Sequence, residues 1–266
     1  MLPPSGRPRA ALSLTMTRLT LALLVAPMLW FAPGRAGAQS PLAPPAQAPQ
    51  RILFVGDSFT HCNGGLENHF RLLAESAQPP RVVYTERATK GGATLKILQG
   101  LEAVHAKIQT GHYDLVILQE DIPELTEHEV TPFLEHARQF DREIRGTGAR
   151  TALFMAWAYE RLNWVSLDTI AEAHRALAKE LSLPVAPVGI ALARALAARP
   201  GLAMLGQDRE HQTMHGTYLA ANVIYATVFG VSPAGLSYLP PGVSAEEAAF
   251  LQSIAWSAVQ EWPKPR

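Results

Sequence analysis

The chain has 266 residues, 48% of them hydrophobic, enough for one sizeable domain with a sealed core. Its 23 basic and 23 acidic side chains balance to a formal charge of zero, which removes the usual electrostatic case for a nucleic-acid partner or an anionic membrane surface. The single cysteine, Cys62, excludes an intrachain disulfide and reads as a small packed residue rather than a nucleophile.

In chain order, the first segment reads as an export signal over residues 1–38. Arg7, Arg9 and Arg18 form a basic lead, Leu19 to Phe31 is largely apolar, and Ala36-Gly37-Ala38 offers the small residues that a signal peptidase requires before Gln39. Met16-Thr17-Arg18 also makes a short basic lead, so Met16 is a second candidate start. A membrane anchor is the competing reading. The apolar run is shorter than the roughly 20 residues a span needs, and Pro27 and Pro33 interrupt it, so no stable span is expected after cleavage. Residues 39–50 are rich in Pro and Ala without hydrophobic period and read as a flexible linker. The mature protein is expected in a periplasm or outside the cell.

From Arg51 to Trp262 short β-rich runs alternate with longer helical patterns, the signature of βαβ units. Strands are predicted at Arg51–Val55, Arg81–Thr85, Asp114–Gln119, Thr151–Ala156 and Pro184–Pro187. Helices are predicted at Leu66–Ser76, Thr94–Gln109, Thr131–Arg145, Ser166–Leu181, Gly189–Ala198, Gly216–Phe229 and Ser244–Glu261. This pattern predicts an α/β fold: a three-layer αβα sandwich around a five-stranded parallel sheet in the flavodoxin-like order 2-1-3-4-5. Residues 263–266 are left as a tail. In that order the chain reverses direction between strands one and three, and ligands bind at such a switch point beyond the carboxyl ends of the strands. Ser58 and Gln119 both fall there.

The residues that carry chemistry follow from this placement. Gly56-Asp57-Ser58-Phe59-Thr60 leaves the first strand with a serine on the turn, and Asp208-Arg209-Glu210-His211 lies far downstream. A serine hydroxyl needs a base within about 3 Å to take its proton. His211 is the candidate base, and Asp208 can hold its other nitrogen and stabilise the imidazolium. Taken alone, Asp57-Ser58 reads first as a helix cap or polar turn; the distal acid and imidazole reverse that reading into a catalytic triad. Acyl transfer also needs donors for a developing oxyanion. The Ser58 backbone N–H, the backbone at Gly92 in Gly91-Gly92, and the Gln119 side-chain amide are the candidates. Trp157 and Trp164, after the fourth strand, are candidate substrate contacts, with packing beneath a loop as the other reading. Glu120 and Asp121 read as a solvated acidic loop. His61 and Asn63 have no obvious role, and the remaining histidines are expected on surfaces or helix faces.

These blocks resemble those of the SGNH, or GDSL, hydrolase superfamily. Gly56-Asp57-Ser58-Phe59-Thr60 is similar to the family's first block with its nucleophile, Gly92 to the second-block glycine, and Asp208-Arg209-Glu210-His211 to the last block, Asp-x-x-His. The third block, Gly-x-Asn-Asp, is absent: strand three ends Val116-Ile117-Leu118-Gln119-Glu120-Asp121. Some branches, carbohydrate acetylesterase-like ones among them, use a Gln at this point, which makes Gln119 the substitute. The resemblance implies an esterase acting through an acyl-serine on small-molecule or glycan esters, O-acetyl groups foremost, with no cofactor and no metal.

Two rivals stand beside it. His211 and His215 are four apart, a spacing that can place two imidazoles on one helical face with Asp208 as a third metal ligand. A hydrolytic zinc helix would carry Glu after the first His, where this chain has Gln212. The other rival is a non-catalytic carbohydrate-binding protein on the same fold.

Overall fold

The computed structural model describes residues 50–121 and 130–263. The expected signal peptide with its cleavage point, the linker up to residue 49, His128 and the last three residues lie outside the described residues. No described helix is long and apolar enough to cross a membrane.

Five parallel strands build the centre: β1 (Gln50–Gly56), β2 (Val83–Thr89), β3 (Leu115–Gln119), β4 (Arg150–Phe154) and β5 (Val185–Ala186), in the order β2-β1-β3-β4-β5. This is the flavodoxin-like order expected from the sequence. β1 is sandwiched between β2 and β3, pairing Leu53 with Glu86 on one side and with Val116 on the other. Side chains on a strand alternate between faces. Ile52 and Phe54 therefore enter one core with Leu115 and Ile117, while Leu53 and Val55 enter the other with Val116 and Leu118. A strand buried on both faces reads as a continuous apolar run, which is why Ile52-Leu53-Phe54-Val55 shows no polar alternation.

The first core packs α1 (Ser58–His61) and α2 (Leu66–Glu75) together with the three later helices of the chain. Phe54 meets Phe70 edge to face at 5.7 Å. Each such ring contributes about 1.5–3 kcal/mol by leaving water. The opposite core is covered by α3 (Leu95–Gln99), α4 (Glu102–Thr110), α5 (Thr131–Gly146) and α6 (Leu167–Leu181). The remaining helices are α7 (Val188–Ala198), α8 (Met214–Phe229) and α9 (Ala245–Glu261). α8 is buried on every side, wedged among α2, α7 and α9.

Two expectations are corrected. The predicted helix Thr94–Gln109 is two helices, because the chain turns extended at Leu101 (φ −104°, ψ 108°) after Gly100 and packs the leucine against the second core. β2 runs on to Thr89 rather than stopping at Thr85. It is an edge strand, and Glu86-Arg87 breaks its hydrophobic pattern without interrupting its backbone pairing to β1.

Candidate active site

Ser58 opens α1 directly beyond the carboxyl end of β1. Asp57 caps that helix, accepting the Phe59 N–H at 2.8 Å, and its own N–H donates to Gln119 Oε1 at 2.9 Å. Thr60 Oγ1 donates to the same oxygen at 2.9 Å. The end of β3 thus grips the turn that carries the serine. Gly56 is required for this grip: a Cβ there would lie 2.4 Å from Gln119 Oε1 and 2.5 Å from Thr60 Oγ1.

His211 reaches the serine from a separate hairpin between α7 and α8. Its Nε2 lies 2.8 Å from Ser58 Oγ, and its Nδ1 lies 2.8 Å from Asp208 Oδ2. The other oxygen of Asp208 accepts the backbone N–H groups of Glu210 and His211, both at 3.1 Å. Those bonds, the Glu210 N–H first and the imidazole next, hold the Asp208 carboxyl below its usual range. The residues Ser58, His211 and Asp208 form one continuous relay. An Nδ1–H donated to Asp208 leaves Nε2 with the lone pair that faces the hydroxyl.

The three oxyanion candidates have different environments. Its N–H sits in the first turn of a helix, where no intrahelical acceptor exists. Gly92 is exposed in the left-handed region (φ +60°), and a Cβ there would meet nothing within 4 Å, so its backbone borders open space. Gln119 is 1% exposed; its Oε1 is held by the turn, while its Nε2 is buried without a hydrogen-bond partner.

The aromatic expectations divide. Trp157 is a correction: it is 2% exposed, packs on Phe59 with centroids 4.5 Å apart, and donates its indole N–H to the Glu210 carbonyl at 3.0 Å. It therefore buttresses the histidine hairpin instead of presenting a face to substrate. Trp164 is 40% exposed on the same loop. Glu120 and Asp121 are also corrected, being buried rather than solvated. Glu120 accepts the Leu95 N–H, and Asp121 accepts the Tyr159 hydroxyl at 3.0 Å. Burial above all pushes the Glu120 carboxyl well above its usual value, with Asp121 and Asp57 adding to it.

Several contacts have no counterpart in the sequence reading. Arg161 forks onto the Glu210 carboxylate at 2.6 and 3.1 Å, and Arg209 pairs with Glu160 at 2.8 Å. Asn63 donates to the Gln212 carbonyl and to Thr217 Oγ1, each at 2.8 Å. The signal available for Asn63 was the run Asn63-Gly64-Gly65, which marks a left-handed turn; its φ is 54°. Nothing local foretold its partners, which are about 150 residues away.

The geometry bears on the alternatives as well. His211 commits both nitrogens to Ser58 and Asp208, whereas His215 turns its Nε2 toward Glu247 at 3.4 Å. Among the described residues no group of three His, Cys, Asp or Glu is arranged to hold a metal ion. Burial, then Asp57 and Asp208, push the Cys62 thiol up, away from the reactive thiolate.

No protein-family model matches the chain, and no curated protein matches it in sequence. Solved structures do match in shape. A DUF4886 family protein from Bacteroides uniformis superposes with a TM-score of 0.69 at 17% identity, over 82% of this chain and 98% of that one. A protein assigned to the SGNH hydrolases from Slackia heliotrinireducens gives 0.53 at 23% identity, over 68% and 99%. A catalytic mutant of an acetylxylan esterase from Geobacillus stearothermophilus gives 0.55 at 16% identity, over 67% and 94%. The chain shares the three-layer α/β fold of these structures.

Proposed function

We propose that this chain is an exported serine esterase of the SGNH type that hydrolyses short carboxylic esters, O-acetyl groups on glycans foremost. The observation that carries the reading is the 2.8 Å approach of His211 Nε2 to Ser58 Oγ while Nδ1 engages Asp208. Export is supported by the basic, apolar and small-residue pattern of residues 1–38. The acetyl-glycan preference is supported by the Gln at the end of β3 and by an acetylxylan esterase among the structures of like fold.

In the proposed reaction His211 Nε2 takes the Ser58 proton as Oγ bonds to the substrate carbonyl carbon. The resulting oxyanion is held by the Ser58 N–H, the Gly92 N–H and the Gln119 Nε2 amide, whose buried hydrogens otherwise lack an acceptor. Collapse breaks the bond to the alcohol oxygen, which leaves with the proton from His211. A water then attacks the acyl-serine, His211 takes its proton, and Ser58 Oγ departs with that proton as the acid is released. Trp164 is the aromatic surface left to contact the sugar or acyl portion.

The test is turnover of p-nitrophenyl acetate by purified protein beside Ser58→Ala, followed by longer acyl esters and acetylated polysaccharide. The expected result is turnover by the native chain that Ser58→Ala lacks, fastest on acetyl esters. Equal rates for both proteins would instead favour a carbohydrate-binding protein.

A further inference from the structure

The relay depends on two loops far apart in sequence, and side chains outside the relay also join them. Asn63 Nδ2 crosses from the serine loop to the Gln212 carbonyl and to Thr217 Oγ1, both at 2.8 Å. Gln212 Nε2 crosses in the opposite direction to the Phe59 carbonyl at 2.8 Å. Phe59 follows Ser58 and Gln212 follows His211, so the Gln212 bond joins the neighbours of both members of the Ser58–His211 pair, and the Asn63 bond to the Gln212 carbonyl ends beside His211.

The clasp is itself braced. The Asn63 carbonyl accepts from His69 Nε2 at 2.8 Å, and His69 Nδ1 accepts the Tyr238 hydroxyl at 2.9 Å. Gln212 is 4% exposed and Thr217 fully buried, so these ends of the bonds are shielded from water, while Asn63 lies at the exposed rim. On the open side, by contrast, Asp208 is exposed, and the hydrogen bond between His211 Nε2 and Ser58 Oγ joins the hairpin to the serine loop there.

We infer that Asn63 and Gln212 are positioning residues, a reciprocal amide clasp that sets the separation and angle between Ser58 Oγ and His211 Nε2. This inference rests on the serine-esterase reading. Its consequence is specific: loosening the clasp slows proton transfer at sites that still bind substrate, because misplacement of about 1 Å can cost on the order of a hundredfold in rate.

Asn63→Gly is the informative variant. Glycine keeps the left-handed backbone (φ 54°) and removes only the amide, whereas alanine would add backbone strain. Active sites are counted by a fluorophosphonate that labels Ser58, and kcat and KM for p-nitrophenyl acetate are expressed per labelled site. The expected result is a fall in kcat of roughly tenfold to a hundredfold per labelled site, with KM within about twofold. Gln212→Met, which keeps the side-chain length and loses the donor to Phe59, is expected to behave alike. The double variant should then cost less than the product of the two single losses. A merely structural role would reduce the number of labelled sites and leave kcat per site unchanged, which overturns the inference. If Asn63→Gly does not fold, Gln212→Met decides by the same criterion. A native chain that takes up no fluorophosphonate and turns over no faster than Ser58→Ala would overturn the esterase reading along with the clasp. Full labelling of the native chain with unaltered variants overturns the clasp alone.

Discussion

The two halves of the relay are held in different ways. The serine turn grows out of the central strand β1, with Asp57 1% exposed and its N–H on Gln119 of the neighbouring strand. The hairpin that carries His211 has little regular structure of its own. It holds an isolated bridge between Leu205 and Gln212, a 2.7 Å bond from Gly206 N to the His211 carbonyl, and Arg209 in the left-handed region at φ 56°. The sheet therefore places Ser58, while side chains from outside the hairpin place His211: Trp157 and Arg161 on Glu210, Glu160 on Arg209, and Asn63 on Gln212. The lesson is that the end of a central strand can place one side chain with precision, but bringing its partner to it takes long-range contacts.

The largest expected effect tests whether the hairpin's sole chemical product is the imidazole. His211→Ala should lower kcat by roughly four orders of magnitude or more, and Asp208→Asn by about as much, because an amide whose oxygen keeps the Glu210 and His211 N–H bonds turns its NH2 toward Nδ1 and leaves the imidazole proton on Nε2. Steady-state turnover of p-nitrophenyl acetate measures both. An His211→Ala protein that keeps more than about one per cent of turnover would break the comparison at its root.

A smaller effect sharpens it. Trp157→Phe keeps a ring against Phe59 and deletes the indole N–H that the Glu210 carbonyl accepts. Roughly tenfold slower turnover with a little-changed KM is expected, since a lost buried hydrogen bond costs about 1–3 kcal/mol and part of that falls on the position of His211. Arg161→Ala removes an exposed ion pair to the same residue, and such pairs contribute under about 1 kcal/mol. Its effect should be a few-fold at most and should shrink further in high salt. If the arginine variant proves slower than the tryptophan one, the hairpin is held by its charged rim and not by the buried indole.

The same division explains what could be read from the chain beforehand. Strand order, the two-sided core and the serine at the end of β1 rest on local patterns: an unbroken apolar run, alternating helices, a polar turn. Asp208 and His211 were visible because one four-residue turn carries both groups. Trp157 was misplaced because an aromatic residue after a strand looks the same whether it faces solvent or supports a hairpin, and only the position of Glu210 in space decides. Glu120 and Asp121 were misread for a related reason. A pair of carboxylates after a strand suggests solvent, yet the Leu95 N–H and the Tyr159 hydroxyl reach them from other segments and make burial tolerable. The histidines show the same limit: His174 lies on a helix face as expected, but that face is the buried one, where its Nδ1 bonds the Ile170 carbonyl at 2.8 Å.

The two regions should also answer pH with opposite sign, a subtler effect read in stability rather than rate. Asp208 on the hairpin has its pKa lowered, so whatever stability it contributes is present above its ordinary range and lost as pH falls; its exposure keeps that contribution small. Glu120, beside the serine turn, has its pKa raised by burial, against the Leu95 N–H and with the help of Asp121 and Asp57. Between its ordinary value near 4.5 and the raised one, the folded state keeps a proton that the unfolded chain releases, so stability declines as pH rises through that window. Glu120→Gln removes the titration while its amide oxygen can still accept the Leu95 N–H. Thermal midpoints measured from about pH 5 to about pH 9 should show the variant gaining on the native chain as pH rises, with the two curves converging toward the acid end. Parallel curves across that range would mean that Glu120 titrates alike in the folded and unfolded chain.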